Sequence, residues 1–261
     1  MRYIFPFCIS LFLYVFLPAQ DETNSIITDR PDQTESSSVV PKGILQIETG
    51  FIFEKDELYI SGYNSENISY NIATTLFRYG LLDWMEVRLG SAFKFENTNV
   101  SGWSKSESGI SGLLIATKLF LMEEKNLFPK LAFIVNYNLA VGKENFIPEK
   151  SEPAFLLAAS NSITDWLGIG YNAGAKWING EQLDIILTAS MGISVAENTG
   201  LFLEFYGDKQ QDTDANIFFD TGFTYLVKND FQLDVSAGFP VNNQSPDFFI
   251  SFGASFQIFQ N

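Results

Sequence analysis

The sequence predicts an all-β fold: a transmembrane, antiparallel up-and-down β-barrel of about twelve strands. Three observations carry this. Apolar and polar residues alternate with period two over stretches of about ten residues or more. That is long enough for a tilted strand to cross a bilayer, and about twice the usual strand of a soluble sandwich. The connections between these stretches are alternately tight and long. The last stretch puts Phe248, Ile250, Phe252, Ala254, Phe256 and Ile258 on one face and Ser251, Gly253, Ser255 and Gln257 on the other.

Composition sets the frame. Residues 1–20 read as an export signal: Arg2 gives the positive start, Ile4 to Leu17 is mostly apolar, and Leu17-Pro18-Ala19-Gln20 is a cleavage region. The apolar run is short for a membrane-spanning helix, so removal is expected rather than anchoring. Cys8, the single cysteine, lies inside this segment and leaves a cysteine-free mature chain. The net charge is −15, and one unit more negative once Arg2 is gone. Nucleic-acid binding needs a basic footprint and is excluded on that ground.

Residues 21–42 form a polar leader without period, carrying Ser36-Ser37-Ser38, Pro31 and Pro41. Residues 43–261 then read as the barrel. The strands are expected near 43–54, 67–79, 84–96, 109–121, 130–142, 153–164, 167–178, 182–195, 199–208, 215–227, 231–239 and 247–259. The third is the clearest. Met85, Val87, Leu89, Ser91, Phe93 and Phe95 share one face, and Glu86, Arg88, Gly90, Ala92, Lys94 and Glu96 the other. The second, fourth and sixth are less clean; Leu113, Leu114 and Ile115 run together. Pro129, Pro153, Pro240 and Pro246 fall at strand ends, where the missing N–H does not break a ladder.

Loops are expected at 55–66, 97–108, 143–152, 209–214 and 240–246, and most are long and polar. The intervening turns, such as Gly80 to Asp83 and Asp165-Trp166, are short; Asn179-Gly180-Glu181 is a short exception among the loops and residues 122–129 a longer one among the turns. Short periplasmic turns alternating with longer outer loops are the outer-membrane pattern. An even strand number places both ends of the barrel on the periplasmic side. Trp84 and Trp166 sit at such turns and suit an interfacial aromatic girdle.

Alternation alone does not decide which face is inside. A soluble barrel turns its apolar face inward, and a membrane barrel turns it to lipid. The export signal, strand length and loop pattern favour the membrane. The polar face then lines the lumen with Glu48, Glu86, Arg88, Lys94, Glu96, Lys118, Lys176, Asp184, Glu204, Asp220 and Asp234. Arg78 is ambiguous: strict alternation sends it to lipid, near the rim.

Two resemblances add to this reading. Ser251-x-Gly253-x-x-Phe256-x-Ile258 resembles the C-terminal signal of bacterial outer-membrane barrels. In those proteins the barrel assembly machinery reads the last strand, which pairs with the first. Further upstream stand Thr28-Asp29-Arg30-Pro31-Asp32-Gln33-Thr34-Glu35, Val40-Pro41-Lys42-Gly43 and Gln46-Ile47-Glu48-Thr49-Gly50-Phe51. With Phe77-Arg78-Tyr79-Gly80-Leu81 and Trp84 to Gly90 they resemble a family of outer-membrane transporters named after the MetA pathway of phenol degradation. The resemblance implies a barrel in the bacterial outer membrane with a transport role. It does not carry phenol over as the substrate.

Three functions are weighed. A narrow channel for an unknown small solute would have a small, net acidic lumen favouring cations or polar neutral solutes. The same charges could instead pair across the lumen and fill it. The leader bears on this: Asp29, Arg30, Thr34 and Glu35 could fold into the periplasmic mouth as a plug, with Arg30 on lumen carboxylates, or could remain a disordered tail. An enzyme is disfavoured, because the chain has no histidine and no convergent catalytic group; no cofactor is called for. A structural or surface-interaction barrel would use loops carrying Tyr59, Tyr63 and Trp103. The expected partners are outer-membrane lipids, the assembly machinery and the solute.

Overall fold

The structure is a computed structural model that describes residues 25–60, 63–211, 213–242 and 246–259. The expected export signal, 1–20, and the side chains of Tyr59 and Tyr63 lie outside the described residues. Thirteen strands follow in order: β1 (Ile44–Ile60), β2 (Tyr63–Leu82), β3 (Met85–Val100), β4 (Trp103–Ile110), β5 (Leu113–Met122), β6 (Lys130–Leu139), β7 (Glu152–Thr164), β8 (Leu167–Ile178), β9 (Gln182–Ala196), β10 (Thr199–Gln210), β11 (Asn216–Lys228), β12 (Phe231–Pro240) and β13 (Phe248–Phe259). Every pairing is antiparallel between chain neighbours, except that β3 also reaches β5 and β1 reaches β13. The β1–β13 seam runs from Ile44↔Phe259 to Lys55↔Phe248 and closes a wall of twelve strands.

The thirteenth strand is β4. The expected strand 109–121 is broken at Ser111-Gly112, where Gly112 takes φ 89°. That positive φ suits glycine and ends the run. Met85 to Gly90 of β3 pairs with β5, whereas Phe93 to Val100 pairs with β4. The segments expected as outer loops, 55–66 and 97–108, are therefore mostly hairpin. The ends of β1 to β4 continue the sheet past the wall as a flap. Residues 55–58, 64–67 and 104–108 carry polar side chains at nearly every position, which is why this part reads as loop.

Burial settles which face is inside. Glu48, Glu86, Lys118, Asp184, Glu204 and Asp220 are each at most 1 % exposed. Leu89, Ile115, Leu157, Leu187, Phe223 and Phe252 are exposed on the outer surface, as are Trp84 and Trp166 beside the short turns. This is the inverted pattern of a membrane barrel, with the hydrocarbon as solvent for the apolar face.

The reading of Arg78 needs correction. Registers of β2 slip between Ile72 and Thr75, and Ala73 has φ 51°. One extra residue swaps the faces of everything beyond it. Ser69 is buried and Ile72 exposed before the bulge, and Arg78 and Gly80 are buried after it. Arg78 thus points inward, 1 % exposed.

Candidate functional site: the leader inside the barrel

The leader runs into the barrel and back. Ile26 N–H donates to the Asn229 carbonyl at 2.7 Å, and Gly43 N–H to the Gly80 carbonyl at 2.8 Å, so both its ends sit at the short-turn rim. Between them its side chains meet two walls of unlike charge.

One wall is β1–β2–β3–β5. Arg78 reaches Glu48 at 2.7 Å and Glu86 at 2.9 Å, and Arg88 Nε lies 3.0 Å from Glu86. Three cations, Arg78, Arg88 and Lys118, face these two carboxylates. The leader adds two more. Asp29 lies 3.0 Å from Arg78 and 2.9 Å from Lys118 Nζ, and also pairs with Arg88. Glu35 takes Arg88 at 2.9 Å. Burial works to raise the Asp29 pKa, but the charges of Arg78, Lys118 and Arg88 outweigh it and hold the carboxyl well below its ordinary value. Backbone groups are drawn in as well: Lys118 Nζ donates to the Ser36 carbonyl at 2.7 Å, and Val40 N–H to Glu86 at 2.6 Å.

The opposite wall, β9 to β12, is acidic: Asp184, Glu204, Asp220 and Asp234. Here the leader offers Arg30, 2.9 Å from Asp234 and 3.0 Å from Ser251 Oγ. Its guanidinium lies in a slot between Gly50 and Gly253, which are register partners across the seam; a Cβ at either would overlap it. Glu204 accepts from Gln33 N–H at 2.7 Å and from the Thr34 hydroxyl, which also contacts Thr188 Oγ1 at 2.7 Å. Burial and the nearby Glu204 push the Asp32 carboxyl well above its ordinary value. Asn172 and Ser160 bind Glu35 and Ser37 from β8 and β7.

Of the residues expected in the lumen, Glu48, Glu86, Arg88, Lys118, Glu204 and Asp234 thus meet at the leader. Asp184 and Asp220 lie on the acidic wall, with Lys176 3.5 Å from Asp184. Lys94 and Glu96 pair with each other at 2.7 Å higher on β3, where it joins the flap. Of the terminal motif, Gly253 faces inward under Arg30, and Ile258 is exposed on the outer face. Sequence reasoning missed Arg78, because of the bulge, and Asp32, Gln33, Ser37 and Asn172, whose polarity marks them no more than any loop residue.

Two cavities flank the leader. One, of about 570 Å³, opens towards the long-loop end and has Asp29 to Gln33 as its floor. The other, of about 320 Å³, lies towards the short-turn rim and is bordered by Ile27 and by Ser38 to Lys42. Among the described residues, none borders both.

Residues 28–258 match the family described as "Putative MetA-pathway of phenol degradation". The chain belongs to that family. Among solved structures, it is similar to an outer membrane channel from Pseudomonas putida F1, at TM-score 0.63 and 14 % identity, covering 85 % of this chain and 98 % of that one. It also resembles the KdgM porin in complex with disordered oligogalacturonate, at TM-score 0.54 and 10 % identity, covering 81 % and 98 %. A third likeness is to the translocator domain of the autotransporter NalP from Neisseria meningitidis, at TM-score 0.54 and 8 % identity, covering 81 % and 88 %. Identities this low show the fold, that of an outer-membrane barrel. No curated protein matches the sequence.

Proposed function

We propose that this family member is an outer-membrane channel for small solutes whose lumen is closed by its own leader. The observation that carries it is the placement of residues 28–41 between two cavities, fixed to both walls by side-chain bonds. Asp29 and Glu35 act as the latch on the basic wall. Arg30 and Thr34 act on the acidic wall. The eleven charges expected from the sequence, together with Arg78, then line the path that opens when the leader leaves. They bind neither metal nor cofactor in this reading, and catalysis has no part in it. Outer-membrane lipids surround the wall, and the barrel assembly machinery reads the terminal strand through Gly253, Phe256 and Ile258.

The experiment is single-channel recording in a planar bilayer under a salt gradient. It compares the mature chain with a variant lacking residues 21–41. The mature chain should be silent or show brief steps, and the shortened chain should give discrete, long-lived steps. A folded, shortened barrel that stays silent would refute the channel. It would favour a surface-interaction role, for which the flap with Trp103, 85 % exposed, is the available platform.

A further inference from the structure

The larger cavity has a recognisable chemistry of its own. Three aromatic rings border it. Tyr206 and Phe218, register partners on β10 and β11, stack with ring centres 5.2 Å apart and planes 13° from parallel. Phe249 of β13 lies across Gly238, where a Cβ would overlap the ring and crowd Asp220. Phe249 is also the register partner of Glu54 on β1. Glu54, Phe249, Phe218 and Tyr206 thus form one continuous stretch of inner wall.

The charges of this cavity are unevenly spent. Asp29, Glu35 and Glu48 are paired with Arg78, Arg88 or Lys118, and Arg30 is paired with Asp234. Glu54 differs: it accepts only neutral donors, Ser69 Oγ at 2.8 Å and Asn71 Nδ2 at 3.1 Å, and forms no ion pair among the described residues.

We infer that this cavity is a binding site for an organic cation: an ammonium group carrying an apolar body of about one aromatic ring. The ammonium would sit between Glu54 and the aromatic faces, whose quadrupoles attract cations. The apolar body would stack on Tyr206 and Phe218. A cavity of about 570 Å³ falls within the ordinary range for small-molecule sites. This inference rests on the channel reading, in that the cavity is its outer mouth, and it names the class of solute held there.

The test is isothermal titration calorimetry on the refolded mature chain in detergent, with benzyltrimethylammonium, benzyl alcohol and benzoate as probes. Binding of the ammonium should be saturable at one site and at least about tenfold tighter than the alcohol, the size of a desolvated cation–π contact. Benzoate should bind more weakly still. Glu54→Gln and Tyr206→Leu should each lower the ammonium affinity by about tenfold. Phe249→Leu gives a third variant should either fail to refold, as judged by heat-modifiable gel mobility. Equal affinity for cation and alcohol, or no saturable heat with the folded protein, would overturn the inference. Calorimetry does not depend on conductance. A silent shortened barrel together with specific ammonium binding by the mature chain would therefore refute the channel while keeping the site, and the converse would do the opposite.

Discussion

Asp29 is the residue on which the leader's hold should depend most. Its side chain is 5 % exposed, and the three cations it meets are at most 1 % exposed. Removing one partner of a buried pair costs about 3–5 kcal/mol. The lower end applies to Asp29→Ala, because Glu35 still lies 2.9 Å from Arg88 and 3.4 Å from Lys118. Three cations would then face Glu35, Glu48 and Glu86 in balance. A loss of about 3 kcal/mol shifts the docking equilibrium of the leader roughly 150-fold towards the open form. The assay is single-channel open probability, which should rise by about that factor. A lock supplies the control. Ser37 Oγ and Ser160 Oγ are 2.7 Å apart, so their β-carbons are within reach of a disulfide, and the only cysteine of the chain is Cys8. In Ser37→Cys/Ser160→Cys/Asp29→Ala the oxidised protein should be silent, and a reductant should release the openings. Unchanged open probability in Asp29→Ala, with no effect of reduction on the locked protein, would refute the latch.

Three further outcomes follow from the same geometry. A Cβ at Gly80 would overlap the Pro41 carbonyl, so Gly80→Ala should loosen the end of the leader; limited proteolysis should cut residues 38–43 faster than in the native protein. Deleting Ala73 removes the bulge and turns Arg78 to lipid, which costs up to about 2–4 kcal/mol by depth and leaves Glu48 and Glu86 short of a cation; the yield of heat-modifiable folded barrel should fall sharply. The depressed Asp29 pKa means its stabilisation is fully present above the ordinary value of 3.8 and is lost only as pH falls through the lower, folded value. Open probability should therefore be flat from pH 8 down to about 4 as far as this latch is concerned, and a midpoint near pH 6 abolished by Asp29→Asn would contradict it.

The wall was legible where one face meets lipid and the other meets charge. β8 spans the expected 167–178, because Leu167, Ile169 and Tyr171 alternate with Gly168, Gly170 and Asn172 without a break. β2 was not, because a single bulge residue reverses its phase and leaves no mark in composition. The flap was misread because runs such as Lys55-Asp56-Glu57 and Ser104 to Ser108 put polar residues on both faces and lose the alternation that identifies a strand. The leader's polar residues were visible as candidates, but their partners were not. Lys118 and Asp29 are 89 positions apart, and Arg30 and Asp234 are 204 apart. Pairing at such separations is fixed by barrel closure, which no local pattern encodes.

The path of the leader has a mechanical consequence. Both of its ends are at one rim, and its far end is continuous with β1. Tension applied ahead of Ile26 from that side would not shear all the bonds at once. It would peel them in chain order: Ile26 from Asn229, then Asp29 and Arg30 from their opposite walls, then Thr34 from Glu204, and Val40 from Glu86 last. A peel concentrates force on one contact at a time, so the work of opening is spread over many small steps. The same total bonding, loaded in parallel along a strand of the wall, would resist as a unit. The chain can thus hold its barrel rigid and its leader removable with bonds of the same kind, differing only in the direction from which they are pulled.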